Sequence, residues 1–267
     1  MTVRILHVSD IHFGCENAAA VAAFGEFALE AGADLIAVTG DITQSGYRRE
    51  FRAAQAWLDG LPGPRVCTPG NHDTPYFDLI ARMFYPFARY CDFVGPELEG
   101  FARPQLQATS FNTSRGAQPR LNWSKGQARR RDAERVCRTL AHAGEALKVV
   151  LCHHPLMEVT GGPMTGRVWG GAQAARILAE GEVDLVLTGH VHMPFAHALP
   201  FGDGCTYNVG ASTLSMRERG CPAGFNLIVA EPDCISVTAQ GWTGTRWEAQ
   251  RSWGLDRRKH RVASAAA

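Results

Sequence analysis

Five short segments of the chain carry side chains that bind metal ions well: Asp10-x-His12, Gly40-Asp41, Gly70-Asn71-His72-Asp73, His153-His154-Pro155 and Gly189-His190-x-His192. Their donors are carboxylate, amide oxygen and imidazole, with no thiolate, a set that suits Mn, Fe or Zn rather than a structural thiolate-zinc site. In extended chain an Asp-x-His or His-x-His pair puts both side chains on one side, so both can enter one site. Glycines beside Asp41, Asn71 and His190 allow sharp turns and close backbone approach. Taken singly, each segment reads as an ordinary loop, and a histidine at a strand end is more often a hydrogen-bonded structural residue. Five of them in series, each following an apolar run, is a coincidence that a shared metal site explains. Cys15 and Cys152 lie near these segments and read as packing residues.

The elements that must position these residues alternate between strand and helix. Strand-like runs at Val3–Val8, Leu35–Val38, Arg65–Thr68, Lys148–Cys152 and Val183–Leu187 each end where one of the five segments begins. Helical periodicity covers Glu16–Ala31, stopped by Gly32, and Tyr47–Leu58, with Phe51, Ala54 and Leu58 on one face. Ser124 with Gln127 matches a capping box, which predicts a helix over Gln127–Ala141. This alternation predicts a largely parallel sheet covered by helices, with ligands gathering at the carboxyl ends of the strands. Beyond His192 shorter strands, near 206–209, 225–230, 235–239 and 245–250, suggest a second sheet closing on the first. The stretch 76–124 is aromatic, proline-containing and irregular, like a variable cap. We expect residues 1–255 to form one domain and the basic, alanine-rich 256–267 to be a disordered tail.

Composition narrows the partners. The 267 residues include 27 Lys plus Arg against 26 Asp plus Glu, and 45% are hydrophobic. Near-neutral charge argues against a nucleic-acid polymer and is compatible with a small anionic substrate met locally by metals. No run approaches the roughly 20 apolar residues of a membrane span. The N-terminal apolar run is too short for a secretion signal. Eight scattered cysteines without a CxxC pair then read as free thiols in a cytoplasmic protein.

In order, spacing and residue type, the series D-x-H, G-D, G-N-H-D, H-H-P and G-H-x-H resembles the calcineurin-like metallophosphoesterase superfamily from Asp10 to His192. The resemblance implies a four-layer αββα sandwich with two mixed β-sheets and a dimetal site at the strand C-terminal edge. It implies that Asp10, His12 and His192 hold one ion, that Asn71, His153 and His190 hold the other, and that Asp41 bridges them. His153 is chosen over His154 because the family ligand lies two residues before the proline; His154 then stands behind the ligands or lines the pocket as a substrate contact. The resemblance gives His72 the role of proton donor to the leaving group; Asp73 either orients it by hydrogen bonding or is a structural residue of the turn.

Two cations of this kind imply in-line attack on phosphorus by a metal-bridging hydroxide. The protein Ser/Thr phosphatases of the superfamily carry G-D-x-x-D-R-G, whereas this chain reads Gly40-Asp41-Ile42-Thr43-Gln44-Ser45-Gly46. The stretch Gly40–Asp73 is instead similar to the bacterial class III cyclic-nucleotide phosphodiesterases, which makes a 3',5'-cyclic nucleotide the expected substrate. A glycerophosphodiester or a nucleotide-linked lipid is the alternative; a DNA nuclease or an inactive metal-binding scaffold is less favoured. Arg167 and Trp169, with Tyr76 and Phe77, are candidates to grip a phosphate and stack a base. Oligomerisation is compatible with the chain, and Arg129-Arg130-Arg131 reads as a solvated helix face.

Overall fold

In this computed structural model, residues 2–120, 122–158 and 168–257 are described. The chain runs β1 (Val3–Val8), α1 (Ala18–Ala31), β2 (Leu35–Val38), α2 (Arg48–Gly60) and β3 (Arg65–Cys67), then α3 (Leu79–Phe84) and α4 (Ala88–Phe93). It continues through β4 (Gly100–Arg103), β5 (Leu106–Ser110), α5 (Arg130–Leu140), β6 (Leu147–Leu151), α6 (Gly171–Glu180) and β7 (Leu185–Thr188). The last five strands are β8 (Phe195–Ala198), β9 (Tyr207–Gly210), β10 (Gly224–Ala230), β11 (Cys234–Trp242) and β12 (Trp247–Asp256).

These strands make two six-stranded sheets, ordered β12-β11-β10-β1-β2-β3 and β4-β5-β6-β7-β9-β8. In the first, β1, β2 and β3 are parallel and β10 to β12 join antiparallel. In the second, β5, β6, β7 and β9 are parallel, flanked by antiparallel β4 and β8. Strands buried on both faces read as near-continuous apolar runs, as LIAV of β2 and the LVL of β7 do. One core lies between the sheets, joining Ile5, Leu35 and Ile228 of the first to Leu147, Leu185 and Val209 of the second. A second core packs α1 and α2 on the outer face of the first sheet through Phe24, Phe51 and Phe225. A third packs α5 and α6 on the second sheet through Val136, Leu178 and Val186. The four-layer αββα sandwich is therefore present, with two mixed sheets.

Three local expectations are corrected. The strands after β9 do not build the second sheet: β10 to β12 extend the first one, because β10 pairs with β1 from Val3↔Ala230 to His7↔Asn226. The irregular middle stretch contributes β4 and β5 to the second sheet. The capping box at Ser124 does not form, and α5 starts at Arg130 with no side-chain cap. Gln127 is instead held extended beside Trp169, with the Gln127 amide donating to the Thr113 carbonyl at 2.8 Å and the Ala128 amide to the Trp169 carbonyl at 2.8 Å. A capping carboxylate forms at α2 instead, where Glu50 accepts from the Ser45 amide at 2.8 Å and the Tyr47 amide at 3.2 Å. The tail beyond Arg257 lies outside the described residues.

Leu185 is fully buried between the sheets. Leu185→Ala should lower unfolding free energy by about 3 kcal/mol through lost transfer energy and a residual cavity. Urea titration would show this as a reduced midpoint at unchanged slope.

Candidate metal centre and active site

The parallel strands of both sheets end on one edge, and each hands its next residues to the same place. β1 delivers Asp10 and His12, β2 delivers Asp41, β3 delivers Asn71 and His72, β6 delivers His153 and His154, and β7 delivers His190 and His192. Asp10, His12, Asp41, His190 and His192 all have left-handed backbone, with φ between 50° and 68°. Among the described residues only Glu182 otherwise joins them as a non-glycine with positive φ. Each such residue costs roughly 1–3 kcal/mol and persists only where its surroundings enforce it. The enforcement is visible: the Asp10 amide donates to the Gly40 carbonyl and the His12 amide to the Asp41 carbonyl, both at 3.0 Å. The β1–β2 pairing thus continues past the strands while the side chains turn inward. A Cβ on Gly189 would strike the Ser9 hydroxyl and the Asp10 carboxylate, and one on Gly70 would strike Asp41. Those two glycines serve close approach, whereas Gly40 also needs its φ of 84°.

The ligand-type atoms converge. Asp10 Oδ1 lies 3.0 Å from His192 Nε2, and His12 Nε2 lies 3.4 Å from His192 Nε2. His153 Nε2 lies 3.3 Å from His190 Nδ1. Between these groups, Asp41 Oδ2 is 3.8 Å from His12 Nε2 and 3.3 Å from His153 Nε2. The far ring nitrogens are engaged elsewhere: His153 Nδ1 donates to the Thr39 carbonyl at 2.8 Å and His192 Nδ1 to the Arg217 carbonyl at 2.7 Å. Each thereby turns Nε2 inward, the usual outer support of a metal-binding imidazole. Asn71 Oδ1 is buried with no hydrogen-bond partner, and Asp10 Oδ1 has no well-aligned donor. Two orphaned oxygens beside four inward imidazoles fit divalent cations on O and N donors.

His154 is different. Its Nδ1 meets the Thr113 hydroxyl at 2.9 Å and its Nε2 the Ser124 carbonyl at 2.8 Å, so neither ring nitrogen is free for a cation. Its ring packs 4.7 Å from that of His153 and 4.5 Å from that of His190, which makes it a backing wall for both.

Electrostatics agree with ionised carboxylates and mostly neutral imidazoles. Burial works to raise Asp10 and Asp41, but His192 beside the first and His153 beside the second hold both below the usual carboxylate range. Burial drives His12 and His190 down to about 3. Burial would lower His153 too, but the adjoining Asp41 carboxylate overrides it and pushes His153 up to about 9. A cation bound there would displace that proton.

His72 sits beside this cluster, its ring edge-on to His12 at 4.8 Å. Its Nδ1 donates to the Gln44 carbonyl at 2.6 Å. The expectation that Asp73 orients His72 is therefore corrected. The Asp73 carboxylate instead accepts from the Ile42, Thr43 and Gly70 amides and the Thr43 hydroxyl, at 2.8–3.2 Å, and ties two ligand-bearing turns together. A cavity of about 570 Å³ opens next to His72 and Asn71, walled by Tyr76, Leu79, Arg82 and Trp123. Arg82 is buried, its guanidinium 5.8 Å from the Tyr76 ring and 5.6 Å from the Trp123 ring. Phe77 stacks on Tyr47 and does not line the cavity. Nor does Trp169, whose ring is covered by the Arg120 guanidinium at 4.6 Å. Arg167 lies outside the described residues.

Arg217 is the residue that sequence reading missed. Its Nη1 is 3.1 Å from His72 Nε2, 3.3 Å from His12 Nε2 and 3.4 Å from Gln44 Oε1, which places a guanidinium at the mouth of the cluster. It follows β9 in a polar turn, Ser215-Met216-Arg217-Glu218-Arg219, with no spacing that singles it out.

Residues 3–194 match the model of the calcineurin-like phosphoesterase family. The chain belongs to that family. It is a metal-dependent phosphoester hydrolase, and a binuclear metal site is the family's equipment for that reaction. A probable cyclic nucleotide phosphodiesterase of Synechococcus sp. is 24% identical over 260 residues, covering 92% of this chain and 94% of that protein. Among solved structures, PhoD superposes with a TM-score of 0.73 at 12% identity, over 96% of this chain and 70% of that one. The purple acid phosphatase PPD1 of yellow lupin (Lupinus luteus) seeds gives 0.64 at 15% identity, over 96% and 54%. These two likenesses are of fold. Among the described residues no helix is long and apolar enough to cross a membrane.

Asp73→Ala should cost about 3 kcal/mol or more of unfolding free energy, because it strands three buried amides that now donate to a carboxylate. Thermal melting would register it as a lowered midpoint. Asp73→Ala should not give a selective loss of turnover on esters with poor leaving groups, the signature of a residue acting through His72.

Proposed function

We propose that the chain hydrolyses a small phosphodiester of the 3',5'-cyclic nucleotide type at this centre. The observation that carries the reading is the shared position of Asp41 between two groups of donors, with a cavity beside His72. Asp10, His12 and His192 would hold one cation, Asn71, His153 and His190 the other, and Asp41 both. When bound, such a pair supplies activation of water and neutralisation of charge at phosphorus. His72, fixed through Nδ1 by the Gln44 carbonyl, presents Nε2 to the leaving oxygen and, in its doubly protonated form, gives it the Nε2 proton. Arg217, 3.1 Å from that nitrogen, offers its guanidinium to a phosphoryl oxygen. Tyr76 and Trp123 offer aromatic faces to a base in the cavity. The likeness to the Synechococcus protein, named as a probable cyclic nucleotide phosphodiesterase, supports this choice of ester.

One observation favours a second reading, a nucleotide-linked lipid. Phe77, Ile80, Met83, Phe84 and Tyr85, with the cavity residues Tyr76 and Leu79, are all more than half exposed and form an apolar rim on the same side. A lipid tail leaving the cavity would cover it.

Asp41→Ala, supplemented with Mn, should retain at most one tightly bound ion per chain where the parent retains two, as read by plasma mass spectrometry. Full occupancy in the variant would remove Asp41 from the bridging position. Turnover by the Mn-loaded parent should be measured on cyclic nucleotides, an aryl diester, glycerophosphodiesters, nucleotide-linked lipids and monoesters. Cyclic nucleotides should lead. A lead by nucleotide-linked lipids would establish the second reading, and no turnover of any diester at full metal occupancy would sink both. His72→Ala should slow poor leaving groups by about 10²-fold or more while metal content stays intact.

A further inference from the structure

The Arg129-Arg130-Arg131 run, read from sequence as a solvated helix face, borders a second cavity in the structure. This groove, of about 560 Å³, lies between α4 and the start of α5 and shares no lining residue with the cavity beside His72. Four arginines line it, Arg115, Arg129, Arg131 and Arg135, against two acids, Glu97 and Asp132. Arg130 belongs to the other side of the helix, where it pairs with Glu134 at 2.6 Å.

The two acids are already committed. Asp132 is shared among Arg135 at 3.0 Å, Arg131 at 3.7 Å and Arg115 at 3.9 Å. Glu97 accepts from the Asn112 amide at 2.6 Å. The lining therefore keeps two positive charges in excess, the charge that a phosphate monoester brings at neutral pH. Arg115 is the innermost of the four. Its Nη1 donates to the carbonyls of Asn112 and Ser114, at 3.1 and 2.6 Å, while its buried Nε has no partner. Burial first, and then the charge of Arg129, push Arg115 down to about 10, against Asp132 and Glu97, which raise it. The accessible apolar part of the wall comes from Pro86, Pro96 and Leu98, while Phe87 and Phe111 are buried. Arginine forks suit a phosphate, and proline and leucine surfaces can take the face of a ring.

We propose that this groove is a second ligand site, which binds a phosphomonoester carrying a flat, largely apolar group, of nucleoside monophosphate size. The site is independent of which ester the metal centre cleaves. It borders that centre all the same: Thr113, between the lining residue Asn112 and the Arg115-bound Ser114, bonds to His154 at 2.9 Å.

The test is calorimetric titration of the Mn-loaded full chain with AMP at low ionic strength, where exposed arginines act most strongly. Arg131 and Arg135 are surface residues outside the metal centre, so Arg131→Glu/Arg135→Glu should fold with the parent's melting temperature and retain turnover of the aryl diester. It should weaken the groove's AMP binding about tenfold or more. The Asp41→Asn variant, altered at the metal centre instead, should keep that binding component. Inorganic phosphate should bind the groove more weakly than AMP, because it leaves the apolar wall unused. Superimposable isotherms for the parent and the charge-reversed variant, or no AMP binding by Asp41→Asn, would overturn the site. Equal affinity for phosphate and AMP would overturn the ring-bearing ligand class. Absence of diester turnover in the Mn-loaded parent, with groove binding intact, would count against the metal-centre reading alone.

Discussion

Two carboxylates, Asp10 and Asp41, are buried in one small volume among five histidine rings, and the rest of the molecule is arranged to make that tolerable. Buried like charges are costly unless cations or hydrogen bonds answer them. The protein answers only in part. Asp10 Oδ2 accepts from the Ser9 hydroxyl at 2.6 Å and the His190 amide at 2.9 Å, and Asp41 Oδ1 accepts from the His72 amide at 2.8 Å. The opposite oxygens, Asp10 Oδ1 and Asp41 Oδ2, face imidazoles whose outer nitrogens are largely tied to backbone carbonyls. Such an arrangement is pre-organised for a pair of divalent ions and carries its cost in left-handed backbone at five of the seven expected ligands.

That strain is affordable because the site hangs from both sheets at once. His153 of the second sheet donates to the Thr39 carbonyl of the first, and the His190 amide donates to Asp10 across the same seam. The core between the sheets, from Ile5 and Leu35 to Leu147 and Leu185, fixes the distance over which those bonds must reach. Close packing of that core limits any slide of one sheet against the other, and hence any spreading of the ligands.

Around this rigid centre the two cavities divide the chemistry. The one beside His72 has aromatic walls, Tyr76 and Trp123, with the buried Arg82 between them. The other lies beside α4, lined by arginines and by Pro86, Pro96 and Leu98. The segment between β3 and β5 lines both cavities and also supplies β4 to the second sheet.

Much of the metal centre was legible in the sequence, because ligand chemistry is local. An Asp-x-His after an apolar run needs no partner to declare its type, and the alternation of strand with helix puts the ends of parallel strands on one edge within each sheet. The preference for His153 over His154 came from a family resemblance; the geometry adds a reason, that both ring nitrogens of His154 are already bonded. What the sequence could not give were relations between distant segments. The pairing of β10 with β1, rather than with a separate sheet, is a choice among apolar strands that look alike. The start of α5 was decided by Trp169, more than forty residues away, which holds Gln127 extended against the local capping signal. Arg217 reaches His72 and His12 only because the turn after β9 folds over the strand ends. Asp73 was drawn away from His72 by amides of a neighbouring turn. Residue type and strand order belong to the chain itself; which nitrogen faces the centre and which arginine guards it were settled by tertiary contacts, because a hydrogen bond depends on where its partner lies in space.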